Sequence, residues 1–306
     1  MFKRNVTKHE PSKRFTIKRD GFHGSYYKPE TDCFLGKAMV IFGGSAGSFL
    51  LTEMVAEKFY EVGMHVLAVA YRDVKDAPHS LSGIPIELIE NGVRWCLRNV
   101  AEKVGVWGIS LGGQLAFLIG SLCSDLVSCV VAVNPMNFSQ QGMKSFNSLK
   151  FEEGSCFTFH GKILPYYPIE ISGEAFRKRI KMDSRKHHEL KYIRGFYEEV
   201  IPHMPEDADY MIKVENIKGS VLMLSAGQDC MLPSELICRM VYKRLEKKQF
   251  AYPFVHYNYE VASHYLLPVK PVTAKMFQVE RKNPEECDKS RNTAWNDTLW
   301  FLKEQW

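Results

Sequence analysis

The chain has 306 residues, 45% of them apolar and 25% charged, with a formal net charge of +5. That is the composition of a soluble globular protein with room for one α/β domain and a sizeable insertion. It argues against nucleic acid as a partner, because no basic stripe is interleaved with stacking aromatics. It also excludes a membrane span, because no run of about 18 apolar residues occurs.

Residues 1–14 are polar and basic and read as a mobile tail without the apolar stretch of a secretory signal. Phe15–Lys18 and Phe22–Lys28 alternate around Asp20-Gly21, a hairpin pattern. KAMVIF (Lys37–Phe42) is a buried strand running into Gly43-Gly44, Phe49–Val62 a helix stopped by Gly63, and His65–Val69 a second strand. Pro85–Arg98 reads as a helix with Pro85 in its first turn. Val104–Trp107, Leu111–Leu122 and Val127–Val133 continue as strand, helix, strand. The rhythm breaks from about 139 to 216, a Pro- and aromatic-rich insertion expected to cap the sheet. It then resumes as strand Val221–Leu224, helix Ser234–Lys247, strand Pro253–Tyr259 and a last helix from about Arg291 to Leu302. A βαβ rhythm with nearly all-apolar strands predicts an α/β fold: a mostly parallel central sheet with helices on both faces.

Gly108-Ile109-Ser110-Leu111-Gly112 is a G-x-S-x-G sequence between an apolar strand and a helix with a small-residue start, the context of a nucleophile elbow in an α/β-hydrolase fold. A serine hydroxyl needs a base, and the base needs a third group to fix its tautomer. In this fold the partners follow in the order Ser, acid, His, each after a later strand. Asp229, after VLML, fits the acid. His264, after Pro253–Tyr259, fits the base. Glu235 falls inside the next helix, and Asp207 and Asp209 precede the strand. His256 lies within a strand, and His187 and His188 lie in a basic stretch. An oxyanion needs two backbone N–H donors. Leu111 supplies one, and the loop Gly43-Gly44-Ser45-Ala46-Gly47 supplies the other, with Ser45 favoured and Gly44 beside it. That loop lacks the G-K-[ST] ending of a phosphate cradle.

The eight cysteines (Cys33, Cys96, Cys123, Cys129, Cys156, Cys230, Cys238, Cys287) form no C-x-x-C pair, so no metal site is expected. The chemistry needs no cofactor. Free thiols fit a reducing compartment, and the C-terminal Glu-Gln-Trp is no peroxisomal address, so a cytoplasmic location is expected. The run Arg177-Lys178-Arg179-Lys181-Arg185-Lys186 reads as a solvated helix face, with contact to substrate phosphates as the alternative. Oligomeric state is not encoded in any of these patterns.

GVWGISLGGQLAFLIGSL, LMLSAGQD and YEVASHYLLP, in this order, resemble the catalytic domain of the type I acyl-CoA thioesterases and bile acid-CoA:amino acid N-acyltransferases. IFGGSAGSFL, AVAYRDVKDAP, FHGKILPYYPIE and AWNDTLWFLKEQW support the likeness, which runs from about Phe22 to the end. The resemblance implies an α/β-hydrolase core with Ser110, Asp229 and His264 on the family's triad positions. The acyltransferase branch is known for a cysteine nucleophile, and serine at 110 looks like the thioesterase branch. The resemblance implies an N-terminal β-sandwich domain before the catalytic one; the residues up to Phe22 read as a tail and hairpin instead, so that domain is expected to be lacking and a simpler activated ester is an alternative substrate. The expectation is a serine hydrolase cleaving an acyl-CoA-like thioester. Its alternatives are a carboxylesterase on simple esters, an acyltransferase to an amine or alcohol, and, last, a non-catalytic binding protein. Phe157, Phe159, Tyr166 and Tyr167 are candidate walls of the acyl pocket or, equally, core of the insertion.

Overall fold

The computed structural model describes residues 7–45, 48–145 and 149–306. In chain order it forms β1 (Lys13–Phe15), a short α1 (Ile17–Asp20), β2 (His23–Tyr27), β3 (Lys37–Phe42), α2 (Phe49–Glu61) and β4 (His65–Ala70). β5 (Ile84–Pro85), α3 (Glu87–Asn99), β6 (Lys103–Ile109), α4 (Leu111–Leu122) and β7 (Cys129–Val133) follow. The insertion holds β8 (Gln141–Met143), β9 (Phe151–Ser155), β10 (Phe157–Phe159), β11 (Lys162–Ile163), α5 (Gly173–Lys186) and α6 (Arg194–Val200). β12 (Ser220–Ala226), α7 (Ser234–Lys247), β13 (Phe254–Tyr259), α8 (Gln278–Lys282) and α9 (Pro284–Glu304) complete the chain.

The main sheet has the order β1-β2-β4-β3-β6-β7-β12-β13; the β1–β2 and β2–β4 pairs are antiparallel, and every pair from β4 to β13 is parallel. Its inner strands β3, β4, β6, β7 and β12 are apolar at nearly every position because both faces are covered, yet the two-residue period still sorts side chains by face. Ala38, Val40 and Phe42 pack with α3, α4 and α7, whereas Met39 and Ile41 pack with α2 and α9. A third cluster, built on Phe138, Phe176, Ile180, Phe196 and Tyr197, is the core of the insertion.

Several local expectations change. The tail expected to be mobile is held from Lys8 on: the Lys8 and His9 N–H groups both donate to the buried Glu57 at 2.6 Å, and Lys13 and Arg14 enter β1. The first hairpin closes through the helical turn α1, with Gly21 at φ 79° as its C-cap rather than the centre of a two-residue turn. Pro85 is not helical. It pairs in parallel with Thr158, and the helix starts at Glu87. Proline suits that short edge strand, where no N–H is asked of it. Phe157 joins the sheet core, and Phe159 and Tyr167 pack against buried clusters; with Tyr166, none of the four lines the active-site pocket. α9 begins at Pro284, earlier than Arg291, and α8 precedes it. No helix among the described residues is long and apolar enough to cross a membrane.

Candidate active site

β6 delivers Ser110 to a sharp turn at φ 59°, ψ −120°, a conformation costly for any residue with a Cβ. The turn is possible because its flanks are bare. A Cβ on Gly108 would sit 2.1 Å from the Gly112 carbonyl oxygen, and one on Gly112 would sit 2.3 Å from that of Gly43. The Ser110 N–H donates to Val133 O at 2.8 Å, which locks the elbow to the neighbouring strand. α4 leaves directly from it, with buried Gln114 donating to Phe138 O at 2.8 Å and so anchoring the root of the insertion.

β12 and β13 pair in register through Ala226 and Tyr259, which brings the turns after them side by side. Asp229 is 1% exposed. Its Oδ1 accepts the N–H groups of Met231 (2.8 Å) and Leu232 (3.1 Å), and its Oδ2 accepts Nδ1–H of His264 at 2.8 Å. Three donors on two oxygens satisfy a carboxylate that meets no lysine or arginine side chain among the described residues. That third bond places the imidazole proton on Nδ1 and leaves Nε2 with its lone pair. Ser110 and His264 line the same cavity.

Two supports for His264 were not legible in the sequence. Asn134, at φ 44°, donates from Nδ2 to the His264 carbonyl oxygen (2.9 Å) and accepts the Ala226 N–H at Oδ1 (2.9 Å), while its own N–H donates to Leu224 O (2.8 Å). One side chain thus ties the base loop to the end of β12. Ser263, next to His264, donates to Glu280 at 2.6 Å, and Glu280 is held in turn by both terminal nitrogens of Arg291. Glu280 and Arg291 are both buried. Arg291→Met should therefore cost about 3–5 kcal/mol of unfolding free energy in urea titration, because it strands a buried carboxylate; a cost below about 1 kcal/mol would exclude this clamp.

The rival candidates are committed elsewhere. Glu235 pairs with Arg194 at 2.5 Å, Asp207 faces Arg244, and Asp209 is exposed on the insertion. His187 stacks on Tyr192 at 4.0 Å, and His188 is exposed. His256 bonds Ser225 Oγ at 2.7 Å, and burial pushes its pKa down to about 4. Arg194 also donates to the carbonyl oxygens of Gly227 and Asp229, both at 3.3 Å, so α6 braces the acid turn.

Gly44, Ser45 and Leu111 line the pocket around Ser110. Gly44 is pressed against the elbow: a Cβ there would lie 3.2 Å from that of Ser110. Tyr71 Oη donates to Gly43 O at 2.9 Å and the Arg72 guanidinium donates to Ser45 O, which occupies two of the loop's carbonyls. Among the described residues the N–H groups of Gly44, Ser45 and Leu111 have no protein acceptor. Ala46 and Gly47 of this loop lie outside the described residues.

The cavity, of about 100 Å³, is walled mainly by apolar side chains, including Met136, Met143, Met231 and Met276. Unbranched thioethers adapt to a flexible guest. The aromatic walls are Phe176 and Tyr197 of the insertion and Tyr265 and Phe277 of the C-terminal segment. No lysine or arginine lines it among the described residues.

The family model described as BAAT / Acyl-CoA thioester hydrolase C terminal matches residues 84–306. The chain belongs to this family. The bile acid-CoA:amino acid N-acyltransferase of Mus musculus is 24% identical over 240 residues, covering 77% of this chain and 50% of that protein. Acyl-coenzyme A thioesterase 1 of Homo sapiens is 25% identical over 246 residues, covering 79% and 51%. The chain therefore spans about half the length of the curated relatives it matches. Among solved structures, MGS-M1, an alpha/beta hydrolase enzyme from a Medee basin deep-sea metagenome library, superposes with a TM-score of 0.57 at 13% identity, over 95% of this chain and 96% of that one. The fold is that of the α/β hydrolases.

Proposed function

We propose that the protein hydrolyses an acyl thioester with an apolar acyl group through an acyl-enzyme on Ser110. The observation that carries this reading is the strained Ser110 elbow opening into the same apolar cavity as a His264 whose Nδ1 is bonded to buried Asp229. In the first half-reaction His264 Nε2 takes the Ser110 proton as Oγ attacks the acyl carbon. The oxyanion forms against the Leu111 N–H and that of Ser45 or Gly44. His264 then returns the proton to the leaving thiol or alcohol. In the second half, water loses a proton to His264, attacks the ester, and releases the acid as the proton goes back to Ser110. Asp229 orients His264 and stabilises its positive form.

The test is a matched series of acyl-CoA thioesters and p-nitrophenyl esters of the same acids. kcat/KM should rise about fourfold per added methylene until the cavity is filled, since each buried CH₂ contributes roughly 0.8 kcal/mol. A clear preference for the thioester is expected. Equal or better turnover of the aryl ester makes the protein a carboxylesterase on the same core. Turnover independent of chain length removes the cavity from the reading.

A second reading, transfer of the acyl group to an amine, draws on the N-acyltransferase among the relatives. Free acid as the sole product in the presence of candidate amines counts against it.

A further inference from the structure

The roof of the acyl cavity has an outer face that this chemistry does not use. α5 turns Phe176, Ile180 and Ser184 inward, and Phe176 reaches the cavity. At 3.6 residues per turn, Lys178, Lys181 and Arg185 fall within about 60° of arc on the solvent side, with Arg177 and Lys186 at the margins and Met182 beside Lys178. These five cations are exposed, and none forms an ion pair among the described residues; Arg179, by contrast, meets Asp183 and Glu199. Glu174 is the exposed acid of the helix.

A second basic rim lies against the first. The 3₁₀ turn Val272–Met276 and α8 supply Met276 and Phe277 to the cavity and expose Lys275, Arg281 and Lys282. Arg281 donates to His188 O at 3.1 Å, and Gln278 Nε2 donates to His187 O at 3.3 Å, so the two rims are joined. Glu189, between them, accepts the Gln278 N–H at 2.9 Å. The same segments expose large apolar side chains: Met182 is 61% exposed, Leu190 73% and Val272 46%.

We infer that this face docks the protein on an anionic lipid bilayer, with the acyl cavity behind it. Two observations favour a bilayer over a dissolved polyphosphate. The cations on α5 are strung along about 14 Å of helix rather than converging on one point. The exposed Met182, Leu190 and Val272 gain nothing from a phosphate in water, but they enter the boundary between headgroups and acyl chains favourably. Docking there would set the walls Phe176, Met276 and Phe277 next to the phase where long acyl chains reside. The inference rests on the reading of the cavity as an acyl site, but its test does not.

The test is co-sedimentation of the full chain with vesicles of phosphatidylcholine alone or with about 30% phosphatidylserine. The wild type should bind the anionic vesicles only, and about 0.5 M salt should release it. Each basic residue near such a surface multiplies partitioning about fivefold, so K178E/K181E/R185E should lose at least about 100-fold. That variant should keep the wild-type thermal midpoint and, without vesicles, the wild-type rate on a soluble short-chain ester. No binding of the wild type, or equal binding of the variant, overturns the inference. It is also overturned if the variant raises KM for acyl-CoA in vesicle-free solution while vesicle binding is unchanged, which makes the face a polyphosphate site. Vesicle binding by a protein that hydrolyses no ester would sink the proposed function and leave the docking face standing.

Discussion

Ser110→Ala should lower kcat/KM by roughly 10⁴–10⁶-fold and abolish labelling by a fluorophosphonate probe, with the fold intact. The hydroxyl is the sole nucleophile in the proposed route, and the cavity walls, the oxyanion donors and His264 remain to give the residual rate. The fold survives because the Ser110 side chain caps nothing. The elbow's backbone adds a second readout. At φ 59°, ψ −120° alanine inherits the strain and glycine relieves it, so Ser110→Gly should be more stable than Ser110→Ala by about 1 kcal/mol, although both are inactive. Differential scanning calorimetry of the pair separates the stored strain from the lost chemistry. Turnover in Ser110→Ala within tenfold of wild type would remove the acyl-enzyme route.

Asp229→Asn should cost about 10⁴-fold in kcat. Oδ1 of the new amide can still accept the Met231 and Leu232 N–H groups, so the turn keeps its shape. The NH₂ group then faces His264 Nδ1 and offers a donor where an acceptor stood. The imidazole answers by moving its proton to Nε2, the nitrogen that must accept the Ser110 proton. Stopped-flow measurement of acylation should show the loss in the first half-reaction, with KM nearly unchanged. A variant that keeps more than a tenth of wild-type kcat would show that Asp229 does not set the tautomer.

The strands were legible because burial on both faces leaves an unbroken apolar run, and KAMVIF and VLML announce themselves. α4 and α7 were legible to the residue because the elbow fixes the start of one and the amphipathic period marks the other. Ser110, Asp229 and His264 could be named from order alone, and the geometry brings Asp229 and His264 into contact and opens Ser110 and His264 on one cavity. What escaped depends on partners far along the chain. Pro85 pairs with Thr158, and Ser263 is held by Glu280, which Arg291 holds in turn. Asn134 belongs to no sequence motif, because its two bonds, to Ala226 and His264, span 92 and 130 residues. The choice between wall and core for Phe157, Phe159, Tyr166 and Tyr167 stayed open for the same reason, and the cavity's own aromatics went unnamed. Nothing in the local pattern around Phe157 says that it faces the sheet, and Phe176 shows its role only once α5 is folded over the cavity.

The bracing of the acid turn by α6 bears on how substrate range could be re-engineered. Ile193 and Arg194 donate their backbone N–H groups to Cys230 O at 2.9 and 3.1 Å, and the Arg194 side chain reaches Gly227 O and Asp229 O. The insertion is therefore no interchangeable module. A chimera that grafts a different lid between β7 and β12 would leave three carbonyls of the acid loop without donors and forfeit activity before selectivity could be read. Point changes at Phe176 or Tyr197, which face the guest but carry none of that bracing, are the route by which this scaffold can be retuned.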